Sequence, residues 1–322
     1  MKAVQITSYD GPDALSYDEV PTPEPKQGQI SLDVEFAGAN YVEALFAGGL
    51  VPAPLPWVPG IEVSGRVRAL GEGVTGFTSG DQVAALTIND GGGYGQVAVT
   101  QAGLVAPLPA GMDPALAAVV PSNTTTALIT LERIAHLAPG EHVLVHAAAG
   151  GLGSQFGQVA RFLGADRVVG VVGSQEKRQA ALDLGYDEVW LRAEIDNAKP
   201  NQFDVIADPV SGPGRRTSLG LLRLGGRLLA VGDAAQAGDQ GISSNMLWFG
   251  GIGVLGFNLG TLSAADPNLV GSYLRRALNL VATGEITVHL TEQAPIQDAP
   301  RVLAALRGGT TLGKTVLVHE TT

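Results

Sequence analysis

The chain has 322 residues, of which 45% are hydrophobic, 16% charged and 5% aromatic, with 44 glycines and no cysteine. At about 100–200 residues per domain this is room for two domains with cores of their own, and without cysteine there is no disulfide, thiol nucleophile, iron–sulfur cluster or Cys-ligated zinc. Lys and Arg number 20 against 31 Asp and Glu, a formal net charge of −11, which repels phosphate backbones and anionic lipid and argues against nucleic acid or a membrane surface as the main partner.

The opening residues, MKAVQITSYD, lack the apolar h-region of a secretory leader, so a cytoplasmic protein is expected. Val4–Ile6 begins a strand, and Pro21, Pro23 and Pro25 punctuate the chain after it. Ile30, Leu32, Val34 and Phe36 alternate with the period of two of a half-buried strand. Val63–Val67 and Val97–Val99 look similar, with turns such as Gly80-Asp81 and Gly91-Gly92-Gly93 between them. No long helical pattern precedes about residue 122, so the first third is read as a compact all-β unit.

From there the pattern changes. Leu128, Leu131 and Ile134 or Ala135 recur at helical spacing after a cap at Ser122 or Asn123, and Pro139-Gly140 stops the helix. His142–His146 reads as a strand, followed by a glycine turn and a helix from about Ser154 to Leu163. Arg167–Val172, Gln175–Leu184, Phe203–Ala207, Gly214–Leu222 and Arg227–Val231 continue the alternation, which predicts a parallel, doubly wound sheet. The uncharged segment Gln240–Ala265 is broken by Gly250, Gly251, Gly253, Gly256 and Gly260 and suits buried strand and turn better than a membrane span. The tail offers helices at Val270–Ala282 and Ala299–Arg307 and a last strand at Thr315–Val318, pieces that pack back on the first unit.

The turn His146-Ala-Ala-Ala-Gly-Gly-Leu-Gly153 carries the first chemical signal. Its frame is Ala148-x-Gly150-x-x-Gly153, with alanine at the usual first glycine of a dinucleotide fingerprint. Gly150 and Gly151 let the backbone approach a pyrophosphate, Gly153 allows close packing of helix on strand, and the helix N-terminus offers free N–H groups to the anion. A glycine-rich turn without a ligand is the bland alternative; the strand–turn–helix context favours a dinucleotide. An NAD site places an acid at the end of the next strand to hold the ribose 2′-hydroxyl. Here that strand runs into Gly173-Ser174, with Lys177-Arg178 shortly after and Glu176 expected to face water. A hydroxyl and cations suit a 2′-phosphate, so NADPH is expected over NADH.

Set beside zinc-dependent alcohol dehydrogenases, whose layout this chain resembles, Pro59-Gly60-Ile61-Glu62 has Ile61 where a zinc-ligand His would stand, and with cysteine absent no catalytic metal is expected. His136, His142, His289 and His319 share no ligand-like spacing. His146 is read as a hydrogen-bonded core residue, Asp208 as either a cofactor contact or a helix cap, and Trp57, Tyr94, Trp248, Phe249 and Phe257 as core or interface.

Together these pieces resemble the zinc-independent medium-chain dehydrogenases/reductases, in the quinone oxidoreductase (ζ-crystallin-like) branch. The resemblance rests on Asn40, Val58-Pro-Gly-Ile-Glu-Val-Ser-Gly65, Gly71-Glu-Gly-Val-Thr-Gly-Phe-Thr-Ser-Gly-Asp-Gln-Val83, Thr126-Ala127, Pro139 through Gly153, Phe203–Asp208, Leu224-Gly-Gly-Arg227, Gly284-Glu285-Ile286 and Gly313-Lys314, in order along nearly the whole chain. It implies an α/β protein, with a GroES-like β domain from 1–121 and 266–322 and a Rossmann domain with a doubly wound parallel sheet from 122–265, the nicotinamide lying in the cleft. It also implies hydride transfer from NADPH to a quinone or similar conjugated carbonyl, and a homodimer joined through the strand near Gly251–Phe257.

Carried onto matching positions, Asn40 and Thr126 would flank the nicotinamide as catalytic and cofactor-binding residues. Gly150, Gly151, Leu152 and Gly153 would hold the pyrophosphate, and Ser174, Lys177 and Arg192 the 2′-phosphate. Gly232, Phe257 and Lys314 would complete the cofactor site, and Glu43, Leu45, Trp248 and Phe257 would face the substrate. Leu45 and Ala47 replace a tyrosine and an arginine common in relatives, so the proton comes from water or is not needed from a side chain. Two other functions stay open: an enone or enoyl-thioester reductase on the same scaffold, and a non-catalytic NADPH-binding protein.

Overall fold

The structure is a computed structural model that describes residues 1–50, 53–239 and 241–319; Gln240, the start of the uncharged segment, lies outside them. Two units emerge, one of residues 1–125, 259–284 and 288–322, the other of 126–258 and 285–287.

The first unit opens with β1 (Lys2–Ile6) paired antiparallel to β2 (Leu15–Glu19). The long β3 (Gln29–Ala39) organises the rest: one of its edges pairs with β4 (Glu62–Leu70), after a short helix, α1 (Tyr41–Ala47). β5 (Gln82–Leu86), β6 (Val97–Gln101), β7 (Val105–Pro107) and α2 (Pro114–Ala117) follow. β6 takes the first half of the other edge of β3, opposite Gln29–Asp33. The alternation read at Ile30, Leu32 and Val34 is the core-facing row, packed with Val63, Val67, Val83, Ala85 and Val105.

α1 corrects the all-β reading of this region. Seven residues give too few turns for a periodic signature, and its signals are local ones. Glu43 at its third position accepts the Asn40 N–H, and Gly48 closes its last turn on the Ala44 and Leu45 carbonyls.

The second unit begins within α3 (Asn123–Leu128), which widens into a π-helical turn at Ile129–Ile134. The Thr130 hydroxyl donates to the Thr126 carbonyl at 2.6 Å, and the Ala135 N–H reaches back to Thr130 at 2.8 Å. β8 (His142–His146), α4 (Gly151–Phe162), β9 (Arg167–Val172), α5 (Gln175–Asp183), β10 (Glu188–Leu191), β11 (Phe203–Asp208), α6 (Pro213–Leu219) and β12 (Leu222–Ala230) then alternate. After α7 (Ser244–Gly250), β13 (Gly253–Gly256) ends the sheet. All its ladders are parallel, in the order β10-β9-β8-β11-β12-β13. The chain thus winds outward in both directions from the β8–β11 pair, the switch point at which doubly wound sheets bind ligands.

The segment read as buried strand and turn is instead mixed. Only β13 is strand; α7 has no buried residue, and α8 (Leu259–Ala265) is a second helix. Its serines, asparagine and leucines allow short helices once Gly251, at φ +56°, ends α7 in a left-handed cap. α8 packs on α9 (Pro267–Ala282), so 259–265 group with the first unit, whereas the sequence reading puts them in the second. β14 (Leu290–Pro295), α10 (Ala299–Arg307) and β15 (Lys314–Val318) complete the chain. β15 takes the remaining edge of β3, opposite Phe36–Ala39.

Candidate functional site

In the second unit, β8 feeds a turn that is itself the first turn of α4, which is why the helix starts at Gly151 and not near Ser154. Ala147 is held at φ +53° and the Gly150 N–H returns to its carbonyl at 2.9 Å. A Cβ on Gly153 would lie 2.1 Å from the Ala147 oxygen, so only glycine lets α4 pack this closely. A Cβ at Gly150 would also crowd that oxygen, at 3.2 Å, and would meet no other atom within 4 Å. The first N–H groups of α4 have no acceptor within the helix and point where an anion can sit.

The next strand end supplies positive charge. Ser174 is the residue preceding α5, and its side chain does not cap the helix. Lys177 lies on the first turn of α5, and burial together with the neighbouring Arg192 guanidinium lowers its pKa. Arg192 follows β10, with its guanidinium about the van der Waals distance from where a Gly173 side chain would be, 3.8 Å. Two like charges held together are relieved by an anion between them. Arg178 is engaged elsewhere, by Glu194 at 2.5 Å, and Glu176 is exposed. Gly150, Ser174, Gly232 and Phe257 all follow the C-terminal ends of parallel strands. Gly232 accepts from Arg215 at 3.0 Å, and the Phe257 N–H donates to Ala230 at 3.1 Å. Asp208 is committed to structure: it accepts from the Val210 and Ser211 N–H groups and pairs with Arg215 at 2.6 Å. His146 bonds Ser218 at 2.8 Å inside the core, and burial lowers its pKa.

The first unit holds a buried charged cluster. Antiparallel pairing of β15, β3 and β4 sets three residues side by side at one end of the sheet: Lys314 at the start of β15, Asn40 just past β3, and Glu62 at the start of β4. Lys314 Nζ donates to Glu62 Oε1 at 2.8 Å, Asn40 Oδ1 at 2.6 Å and the Ala39 carbonyl at 3.1 Å. Its three protons are all taken, so a cofactor contact would have to replace one of them. Glu62 Oε2 accepts the Ser122 N–H at 2.7 Å. Gly38 makes room, since a Cβ there would sit 2.5 Å from Glu62 Oε1.

Glu43 completes the cluster at 0% exposure, its oxygens accepting from Asn40 and Ile61 N–H groups at 3.0 and 3.2 Å. Burial pushes its carboxyl up to about 8, Lys314 pulling it down and Glu62 raising it further. Tyr94 is also fully buried, its hydroxyl without a hydrogen-bond partner among the described residues, and burial beside Glu43 and Glu62 pushes its pKa well up. Sequence reasoning gives Glu62 no role of its own and treats Tyr94 only as core or interface. The available signal is an acid opening the otherwise uncharged stretch Glu62-Val-Ser-Gly65, which demands a buried partner.

The family described as zinc-binding dehydrogenase matches residues 151–279, and the alcohol dehydrogenase GroES-like domain matches residues 26–110. A quinone oxidoreductase from Pseudomonas aeruginosa is 30% identical over 98% of this chain and 99% of its own length. The chain belongs to the zinc-independent medium-chain dehydrogenases/reductases. A polyketide synthase from Streptomyces halstedii is 37% identical over 223 residues, 68% of this family member but 4% of the synthase, so the chain spans a small part of that relative's length. The crystal structure of Escherichia coli quinone oxidoreductase complexed with NADPH superposes with a TM-score of 0.89 at 26% identity, covering 99% of this chain and 100% of that one.

Within this family member, Gly150–Gly153, Ser174, Lys177, Arg192, Gly232 and Phe257 all lie beyond the C-terminal ends of the parallel strands, spread across the sheet from β10 to β13. The structure gathers Asn40, Glu43 and Lys314 at one end of the β3–β4–β15 sheet. Leu45 is buried on α1, and Thr126 lies on α3 at 7% exposure. Trp248 stands apart, 74% exposed on α7 beside the 77% exposed Phe249, their ring centroids 4.5 Å apart.

Proposed function

We propose that this chain is an NADPH-dependent oxidoreductase that passes hydride to a quinone or a similar conjugated carbonyl. The observation that carries the reading is the pairing of an open glycine turn ahead of α4 with Ser174, Lys177 and Arg192 at the end of β9, where no acid stands to hold a 2′-hydroxyl. The donor set fits the cofactor: backbone N–H groups for the pyrophosphate, and a hydroxyl with two cations for the 2′-phosphate. The quinone oxidoreductases among its relatives and the NADPH complex of the E. coli enzyme support it.

In this reading the N–H groups of Gly151, Leu152 and Gly153 hold the pyrophosphate, and Asn40 and Thr126 lie beside the nicotinamide. NADPH, when bound, supplies the hydride; the chain contributes proximity and orientation, which can be worth several kcal/mol. A quinone that takes hydride becomes a stabilised hydroquinone anion, so Leu45 in place of an acid is no obstacle. The match to a polyketide synthase favours a second reading, reduction of an enoyl thioester.

Mixing the purified protein with NADPH and panels of quinones, alkenals and enoyl thioesters, and following the absorbance of the reduced nicotinamide, separates the readings. Quinone turnover alone supports the first, and enoyl turnover alone the second. No turnover despite tight NADPH binding refutes both.

The edge strand β13 and the exposed Trp248, Phe249 and Leu224 beside it are the surface for a homodimer. Sedimentation of wild type against Trp248→Glu checks this: a dimer converted to monomer is the expected result, and a monomeric wild type excludes the dimer.

A further inference from the structure

Asn40 occupies the N-cap position of α1, and its backbone N–H donates to Glu43. The carboxamide is turned toward the charged cluster. Its oxygen accepts from the Lys314 ammonium at 2.6 Å, and its nitrogen donates to Glu62 Oε1 at 2.9 Å. Turning the amide over would set NH2 against NH3⁺ and a carbonyl against a carboxylate, losing both bonds at once. The two charges are themselves fixed, because Lys314 also donates to the Ala39 carbonyl and Glu62 also accepts from the Ser122 N–H. They sit at the ends of strands that flank β3, so sheet register sets their spacing.

We propose that Lys314 and Glu62 are positioning residues, which orient and polarise the Asn40 carboxamide so that its second N–H is presented to a carbonyl oxygen of the ligand. This inference rests on the reading that Asn40 lies beside the nicotinamide. A cation on the amide oxygen and an anion on the amide nitrogen both draw electron density toward oxygen, which makes the remaining N–H a stronger donor. That N–H has only a long contact, 3.4 Å to the Gly38 carbonyl, so a ligand oxygen can take it at little loss. The carbonyl belongs either to the nicotinamide carboxamide or to the acceptor.

The test is a cycle in the intact protein between Asn40→Ala and the charge-neutralising pair Glu62→Gln/Lys314→Met, which removes both members of the Glu62–Lys314 ion pair together. Unfolding midpoint, NADPH affinity, kcat and KM are read for each. Asn40→Ala is expected to lower kcat/KM on the order of 100-fold. The pair should lower it by a comparable factor, and all three substitutions together by no more than Asn40→Ala alone, even where their effects on stability add. A loss confined to NADPH affinity assigns the carbonyl to the nicotinamide; one confined to kcat/KM for the quinone assigns it to the acceptor.

If Asn40→Ala is impaired while the folded pair variant turns over like wild type, or if the losses multiply, the positioning role is overturned and the nicotinamide reading survives. Wild-type behaviour of Asn40→Ala overturns both. Should the pair variant not fold, side-chain amide NMR of 15N-Asn-labelled wild type is the second readout. One Asn40 Nδ2 proton shifted downfield and protected from exchange is expected, and a freely exchanging amide overturns the proposal.

Discussion

Glu43→Gln tests the electrostatics of the buried cluster most directly. Glu43 is wholly buried with one cation, Lys314, shared against a second carboxylate, Glu62. Its carboxyl rises from 4.5 to about 8. Between those values the native state holds a proton that the unfolded chain has released, so stability falls as pH rises, by about 1.4 kcal/mol per pH unit. The contribution is fully present below pH 4.5 and is lost through pH 8, about 5 kcal/mol in all for the printed range. Glutamine keeps the shape and removes the titration. It also turns an N–H2 toward one of the two backbone N–H groups that Glu43 accepts from, a mismatch worth about 1–3 kcal/mol. Urea unfolding at a series of pH values should therefore show the variant less stable than wild type near pH 5 and more stable near pH 8.5, with the curves crossing between. A stability difference that stays constant across that interval would show that Glu43 is ionised throughout, and the reasoning would fail.

Other perturbations separate binding from folding. Lys177→Ala and Arg192→Ala should each weaken NADPH about tenfold and leave NADH untouched, because only the 2′-phosphate loses a charge-assisted bond; isothermal titration with both coenzymes checks it, and an unchanged preference in the double variant defeats the assignment. Gly153→Ala drives a methyl to 2.1 Å from the Ala147 oxygen and should destabilise the protein by ~3 kcal/mol or more, read as a lowered unfolding midpoint. His319 is buried at 4% exposure, and burial lowers its pKa to about 4. The unfolded chain therefore binds a proton first as pH falls from 6.5 to 4, costing about 3 kcal/mol of stability over that window. His319→Leu should remove that part of the acid sensitivity in denaturation curves at pH 4 and pH 7.

What was legible in the sequence is what short stretches decide. The strand His142–His146, the turn at Gly150 and the helix behind it are contiguous, so turn chemistry and periodicity read them together, and Arg167–Val172 and Ala299–Arg307 appear with the boundaries expected. The buried cluster is different in kind. Lys314 and Glu62 are 252 residues apart and Lys314 and Asn40 274, joined only by the register of β15 on β3 and β3 on β4. Register between distant strands leaves no local mark, so resemblance could name Lys314 and Glu43 without showing that they belong to one network with Glu62. α1 escaped notice through brevity, and α7 because glycines beside it mimic a strand and turn.

That network is costly on stability grounds alone. Two carboxyl groups and an ammonium at 0%, 0% and 4% exposure could be replaced by apolar side chains of similar volume with little loss or even a gain, whereas removing one member of the Glu62–Lys314 pair strands a charge at about 3–5 kcal/mol. The core around it already packs well without them, through Ile30, Val63, Leu317 and their neighbours. What apolar residues could not do is hold an amide by its two ends with opposite charges. A neutral triple in which Glu43, Glu62 and Lys314 become Gln, Gln and Met therefore discriminates sharply. If the cluster serves only the fold, the triple variant melts near wild type and turns over like it; if it serves Asn40, the variant keeps its fold while kcat/KM falls.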